Sequence, residues 1–264
     1  EVSYEDEPIV VDWDNDGDLD VIVRTSRALL LFEFKSVSGH FVQVQPSPFE
    51  GISPRKGSTS HGALWLCRPA VVDWNGDGRL DLIIGAQDGL KYYEKDSDGL
   101  LHEQADNPFE VVPTLRNGCS DLAVADWDGN GKLDLLVSQC CGSSRPLLHY
   151  ENSDGQLVLM NESTGPFQSV KSKTRTMRPL MADWDSDGRM DLILMAKVFD
   201  RQMASNWKDP KFCPIEVHLQ GADGRASAID SSGPVLRNWW CSKFDGSGIS
   251  LVDVDGDGDL DAIL

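Results

Sequence analysis

The stretch Asp12-Trp13-Asp14-Asn15-Asp16-Gly17-Asp18-Leu19-Asp20 decides the fold, because the chain repeats its phrase at 73–81, 126–134, 183–191 and 253–261. In every copy the first, third, fifth and ninth positions are Asp or Asn, the sixth is Gly and the eighth is Leu or Met. A hard cation such as Ca²⁺ takes six to eight oxygen ligands, and a tightly curled segment can aim alternate side chains at one centre. The invariant Gly supplies the positive-φ turn for such a curl. Position seven is Asp18, Arg79, Lys132, Arg189 or Asp259, and since a cationic side chain cannot ligate Ca²⁺, its backbone carbonyl is expected to serve. The candidate metal residues are therefore Asp12, Asp14, Asp16, Asp18 and Asp20; Asp73, Asn75, Asp77, Arg79 and Asp81; Asp126, Asp128, Asn130, Lys132 and Asp134. The fourth and fifth loops add Asp183, Asp185, Asp187, Arg189 and Asp191, then Asp253, Asp255, Asp257, Asp259 and Asp261.

An EF-hand loop would end on a bidentate Glu at position twelve, where this chain has Val23, Ile84, Val137, Leu194 and Leu264. The flanks also read as strands, as in Pro8-Ile9-Val10-Val11 before the first loop and Asp20-Val21-Ile22-Val23 after it. Asp-Gly turns alone would only punctuate hairpins, but five copies with one ligand spacing say more. A second repeat follows each loop: Leu31 to Gly39, Leu90 to Gly99, Leu147 to Gly155 and Ile215 to Gly224 each read as a hairpin. One repeat thus holds an inner strand, a metal loop, a second strand and a hairpin of strands three and four. The first-to-first spacings of 61, 53, 57 and 70 residues suit a propeller blade, and few helices are expected.

The 264 residues are 40% hydrophobic and carry a formal charge of −19, and five bound Ca²⁺ would bring that charge to about −9. No run of 18 apolar residues exists, so any membrane attachment is expected through a region outside this chain. The start has no leader-like stretch, so a signal peptide is expected to have been removed or to lie outside the chain.

The phrase resembles the FG-GAP and VCBS repeats of integrin alpha-chain propellers and of many secreted or surface proteins. The resemblance implies an all-β propeller whose calcium loops join strands one and two of each blade and contribute to stability. It implies adhesion or recognition for many members, and a place beside an enzyme for some. Asn75 and Asn130 depart from Asp, and Val254 stands where Trp13, Trp74, Trp127 and Trp184 occupy position two. Those Trp are read as wedges between blades.

The blades are expected at about 1–50, 62–112, 119–169, 176–236 and 248–264, making four full blades and the start of a fifth. An open half-blade leaves a sheet edge, so residues 1–264 are expected to be a fragment of a larger propeller of roughly seven blades.

If metal loops and hairpins share one face, the other face collects 24–28, 51–68, 113–121, 139–146, 170–178, 196–214 and 232–248. These segments hold 17 of the 24 Lys and Arg but only Asp121, Asp200, Asp209 and Asp245 among acids. That face is expected to bind a protein or an acidic glycan through Trp65, Arg68, Arg175, Arg178, Trp207, Trp239 and Trp240. No nucleic-acid partner is expected. Cys67, Cys119, Cys140, Cys141, Cys213 and Cys241 fall there too, and an even count beside extracellular-type calcium sites favours disulfides and the secretory pathway or cell surface. Cys213–Cys241 is the expected pair, with Cys119 joined to Cys140 or Cys141. Asn161-Glu162-Ser163 is a glycosylation sequon.

Catalysis is not expected. No nucleophile elbow or phosphate loop appears, and His149 and His218 read as repeat equivalents of Tyr93 by their distance from the hairpin Gly. The reading is a calcium-binding extracellular recognition or adhesion module; the alternative is a structural propeller attached to a secreted carbohydrate-active enzyme, a lyase or hydrolase.

Overall fold

The computed structural model describes residues 7–25, 28–52, 68–86, 89–113, 121–138, 147–170, 177–196, 215–229 and 249–263. The first blade is β1 (Glu7–Val11), β2 (Asp20–Arg24), β3 (Leu29–Lys35) and β4 (His40–Gln43). The second is β5 (Ala70–Val72), β6 (Asp81–Ala86), β7 (Gly89–Lys95) and β8 (Leu101–Glu103), followed by a single 3₁₀ turn at Pro108–Val111. The third is β9 (Leu122–Ala125), β10 (Asp134–Ser138), β11 (Leu147–Ser153) and β12 (Gln156–Leu159). The fourth is β13 (Met177–Ala182), β14 (Asp191–Ala196), β15 (Ile215–Gln220) and β16 (Ala226–Ala228). The fifth repeat contributes β17 (Ser250–Val252) and β18 (Asp261–Ile263). Every pairing is antiparallel between chain neighbours, giving four four-stranded meanders and one two-stranded ribbon. The fold is all-β, of the β-propeller class.

The sequence of the second strands explains their place. Val21-Ile22-Val23, Leu82-Ile83-Ile84, Leu135-Leu136-Val137 and Leu192-Ile193-Leu194 are apolar without alternation, as a strand covered on both faces requires. Ile22, Leu82, Leu136 and Leu192 are fully buried, each contributing roughly 1.5–3 kcal/mol. The fourth strands are at the other extreme, with β4 exposed along its whole length. Between β11 and β12 the two-residue turn Asp154-Gly155 takes φ of 54° and 83°, the paired positive angles that match a hairpin's twist.

The chain forms two compact units, residues 1–119 with 247–264, and residues 120–246. In the first, Ile9, Trp13, Ile22, Leu29, Leu31 and Phe49 of blade one form one core with Val71, Leu82 and Ile84 of blade two. There the fifth repeat lies beside the first, because the Val10 amide donates to Ser250 Oγ at 3.2 Å. In the second unit, Ala123, Trp127, Leu136 and Val170 of blade three pack with Leu192, Leu194 and Ala226 of blade four. Each position-two Trp with a described partner meets the Phe that closes its own blade: Trp13 with Phe49 at 5.1 Å, Trp74 with Phe109 at 4.7 Å and Trp127 with Phe167 at 4.5 Å. The indole of Trp127 also donates to Gly224 O of blade four at 3.1 Å, so it bridges two blades.

The loops demand left-handed backbone twice, not once. Position six is Gly throughout, with φ of 83–92°, but position four is positive too: Asn15 at 61°, Gly76 at 74°, Gly129 at 73°, Ser186 at 59° and Gly256 at 75°. A Cβ added at Gly131 would meet nothing within 4 Å, so a side chain there costs backbone strain alone. Gly131→Ala is expected to destabilise by about 1–2 kcal/mol, whereas Ser186→Gly, which relieves the same strain, is expected to stabilise by up to about 1 kcal/mol. Paired urea titrations measure both, and equal shifts of one sign would contradict the assignment.

Candidate metal centre

Each loop is built on its first carboxylate. Asp12 accepts from the Asp16 amide at 3.1 Å and the Gly17 amide at 3.0 Å, and Asp73, Asp126 and Asp183 make the same two bonds at 2.7–3.0 Å. Asp253 accepts from Gly256 and Gly258. The curl brings positions one, three and nine together. One oxygen each from Asp12, Asp14 and Asp20 lies within 4.8 Å of the others, and the same holds for Asp126, Asp128 and Asp134, for Asp183, Asp185 and Asp191, and for Asp253, Asp255 and Asp261. In the second loop Asn75 fills position three, its Oδ1 accepting from the Asp77 amide at 3.0 Å as Asp14 Oδ1 accepts from Asp16 at 3.2 Å.

Position five braces the loop as well. Asp16, Asp77, Asn130, Asp187 and Asp257 each accept from the position-seven amide at 2.8–2.9 Å, an Asx turn that holds the second half of the loop. Position seven, which the sequence left free to vary, is used where it is cationic. Arg79 Nε donates to Lys95 O at 2.7 Å and Arg189 Nε to Gln220 O at 3.0 Å, while both guanidinium groups pair with Asp77 and Asp187 of their own loops. Lys132 Nζ reaches Asp154 at 2.6 Å in the hairpin turn. These cations tie the loop to the third strand or its hairpin, and they sit outside the carboxylate clusters.

The ninth Asp has a second task that spacing did not reveal. Its Oδ2 accepts the position-two amide: Trp13 to Asp20 at 3.0 Å, Trp74 to Asp81 at 3.2 Å, Trp127 to Asp134 at 3.1 Å and Trp184 to Asp191 at 2.9 Å. Its Oδ1 accepts from the third strand, from Phe34, Lys95, Asn152 and Gln220 respectively. All four carboxylates are buried, and burial raises each above the ordinary Asp value, Asp134 to about 6. Asp14 is raised as well, by burial and then by Asp16.

The donors are all oxygen and the groups repel one another, so each cluster can hold a hard metal ion. Positions one, three and nine would supply side chains to it, and the ion would supply the positive charge the clusters lack.

A family model of the FG-GAP-like repeat matches residues 12–84 and 73–137. Residues 12–137 are thus FG-GAP-like repeats. No curated protein matches it. Among solved structures, a lectin of Agrocybe aegerita, described as specifically recognising non-reducing terminal N-acetylglucosamine, is 19% identical, with a TM-score of 0.50 over 98% of this chain and 60% of its own. The Photorhabdus luminescens Tc holotoxin pore is 16% identical, with a TM-score of 0.46 over 97% of this chain and 10% of its own. The V. cholerae biofilm matrix protein Bap1 is 15% identical, with a TM-score of 0.35 over 83% and 27%. The chain thus spans 60% or less of each of these structures, and at 19% identity the likeness to the lectin is one of fold alone.

Of the residues expected on the ligand face, Trp65, Arg175, Trp207, Trp239 and Trp240 lie outside the described residues, as do all six cysteines. Arg68 and Arg178 are described, and they do not present an exposed surface: they are 6% and 7% exposed. Arg178 Nε meets the buried Asp121 carboxylate at 3.4 Å, and Arg24 is likewise buried against Glu7 at 2.7 Å. The equivalence of the histidines also changes. Aligned on the amides held by the ninth Asp, His218 matches Tyr93 and Tyr150, whereas His149 matches Tyr92, because the blade-three hairpin is one residue shorter.

The two roles of the ninth and third positions separate by mutation. Asp134→Ala strands the amides of Trp127 and Asn152 and is expected to cost roughly 2–6 kcal/mol even in chelator, at about 1–3 kcal/mol per buried donor. Asp128→Ala is expected to leave the chelated protein nearly unchanged and to remove only metal-dependent stability. Equal losses in chelator would refute the distinction. Metal-free stability is also expected to fall as pH rises from about 4 to 7. Between these values the folded Asp134 binds a proton that the unfolded chain has released, so proton uptake favours the fold and its loss disfavours it. Melting curves in chelator across this range measure the slope, and a rise with pH would contradict it.

Proposed function

We propose that this chain is a calcium-stabilised, extracellular recognition or adhesion module with no catalytic role of its own. The observation that carries the reading is the convergence of three carboxylate oxygens within 4.8 Å in four of the five loops. Ca²⁺ matches that donor set in charge and hardness, and Asp73, Asn75 and Asp81 supply the same positions in the remaining loop. Sites assembled from short surface loops suit the millimolar Ca²⁺ outside cells, and the even cysteine count agrees with that compartment. Among the described residues no helix is long and apolar enough to cross a membrane.

The reading gives recognition to the segments expected opposite the metal sites, which hold most of the cations together with Trp65, Trp207, Trp239 and Trp240. Cations interleaved with indoles favour an acidic glycan or an acidic protein patch. Arg68 and Arg178 are buried, so the reading rests on the other cations of these segments, among them Lys173, Arg175, Lys208 and Lys211, which lie outside the described residues. The shared fold with a lectin is in keeping with this role and leaves the ligand to be found.

Calcium is expected to raise the melting temperature, each site adding about 2.7 kcal/mol at a hundredfold excess over its Kd. Calorimetry with calcium and with chelator measures it, and an unchanged melting temperature would refute the metal assignment. Binding to heparin or to an acidic protein is expected at low salt and to weaken near 0.15 M, where the Debye length is about 8 Å. Reversal of Lys173 and Arg175 to Glu is expected to weaken it further. Loss of neither on an acidic-glycan array would leave the basic loops as a solvated surface.

A further inference from the structure

The second metal loop differs from the other four in what its acids hold. Asn75 stands at position three, where the others carry Asp14, Asp128, Asp185 and Asp255. Its Nδ2 donates to Asp77 Oδ2 at 3.2 Å, and the Arg79 guanidinium pairs with the same oxygen. Asp77 Oδ1 accepts the Arg79 amide at 2.9 Å. Both oxygens of position five are thus engaged by donors of the loop itself. From the first loop, Asn15 Nδ2 donates to Gly78 O at 2.7 Å and braces the curl from outside.

Position nine is engaged further as well. The Tyr92 hydroxyl donates to Asp81 Oδ2 at 2.9 Å, the oxygen that also accepts the Trp74 amide. An ionised carboxylate offers about four lone-pair sites. Asp81 gives three of them to Trp74, Tyr92 and Lys95, whereas among the described residues Asp20, Asp134 and Asp191 each give two. In the place of Tyr92 the other blades have Leu31, His149 and Val217: Leu31 and Val217 carry no donor, and neither ring nitrogen of His149 has a hydrogen-bond partner. The buried Phe109 meets the Tyr92 ring edge-on at 5.7 Å and the Trp74 ring at 4.7 Å, which holds the hydroxyl on its carboxylate.

We propose that the second loop is the weakest of the five calcium sites, filled last and emptied first, because Asn75, Arg79 and Tyr92 already give its acids the donors that a cation would replace. The inference rests on the calcium reading above and ranks its sites. Affinity at an oxygen-donor site follows ligand charge and rigidity. At positions one, three and nine, which converge in the other four loops, the second loop offers two carboxylates instead of three. An Arg at position seven is not enough to produce this state: Arg189 also pairs with Asp187, but the fourth loop keeps Asp185 and has Val217 where Tyr92 stands. Nor is one Asn enough, since in the third loop Asn130 lies at position five, Lys132 turns to Asp154, and Asp126, Asp128 and Asp134 still converge. Tyr92 therefore holds blade two together in the state where the other blades wait for metal.

The test is equilibrium dialysis of the whole, metal-stripped chain against rising calcium, with bound metal counted by atomic absorption. The last equivalent is expected to bind roughly tenfold or more weakly than the one before it. Asn75 is exposed, so its substitutions leave the core intact. Asn75→Ala is expected to remove the last equivalent and spare the tighter ones, Asp128→Ala to remove a tighter one, and Asn75→Asp to tighten the last by roughly tenfold. Tyr92→Phe is expected to lower the melting temperature more in chelator than in saturating calcium, because metal replaces the lost donor; a purely structural hydroxyl would cost the same in both. Equal affinity at all five sites, loss of a tight equivalent in Asn75→Ala, an unchanged last equivalent in Asn75→Asp, or equal melting losses for Tyr92→Phe would each overturn the ranking while leaving the calcium reading intact. Uptake by no loop at all would overturn both. Should Tyr92→Phe fail to fold, the two Asn75 variants decide.

Discussion

The blades depend on one buried carboxylate, that of the ninth loop residue. Asp20, Asp81, Asp134 and Asp191 each accept one amide from their own loop and one from the third strand, so a single side chain fixes the loop against the sheet. Its charge makes those bonds strong, and its burial makes the charge costly. A cation at the neighbouring carboxylates would resolve the conflict by favouring the ionised form that both amides also favour. Metal affinity and blade order would then be drawn from the same group. In the fifth repeat Asp261 likewise accepts the position-two amide, from Val254 at 3.0 Å.

The same third-strand residue carries order from blade to blade within each unit. Lys95, whose amide is held by Asp81, sends its ammonium group to Trp13 O and over the Trp13 ring at 4.2 Å. Gln220, held by Asp191, sends its amide group to Trp127 O at 2.6 Å. The two side chains differ in charge but reach the same carbonyl of the preceding blade. Burial lowers the Lys95 pKa, which marks the cost of using a cation where Gln suffices. A position-two Trp therefore docks through its backbone as well as its ring.

The fold was legible because its signals repeat: apolar second strands, hairpin turns and nine-residue loops each recur with one spacing. The positive φ at position four was also legible in Asn15, Gly76, Gly129 and Gly256, although Ser186 hides it in a residue that pays for the angle. What spacing could not show was the division of labour among the acids. Positions five and nine carry the same side chain in four of the five loops, yet one caps an amide within the loop and the other enters the sheet, because only the ninth begins a strand with apolar neighbours on both sides. The arginines at position seven were equally opaque, since their partners are backbone carbonyls that leave no mark in sequence.

Charge counted along the chain also overstates charge on the surface. Five residues before the first loop Asp stand Glu7, Arg68, Asp121 and Arg178, alternating in sign and all buried. Arg178 answers Asp121 in the next inner strand of its unit, and Glu7 is answered by Arg24 of its own blade. Desolvating such groups is tolerable only as pairs, so the cations here are the complement of buried acids rather than a lure for soluble ones. Where a repeat position inverts or loses its usual partner, as at Arg178 or His149, its chemistry is set by the blade it sits in and not by the family pattern.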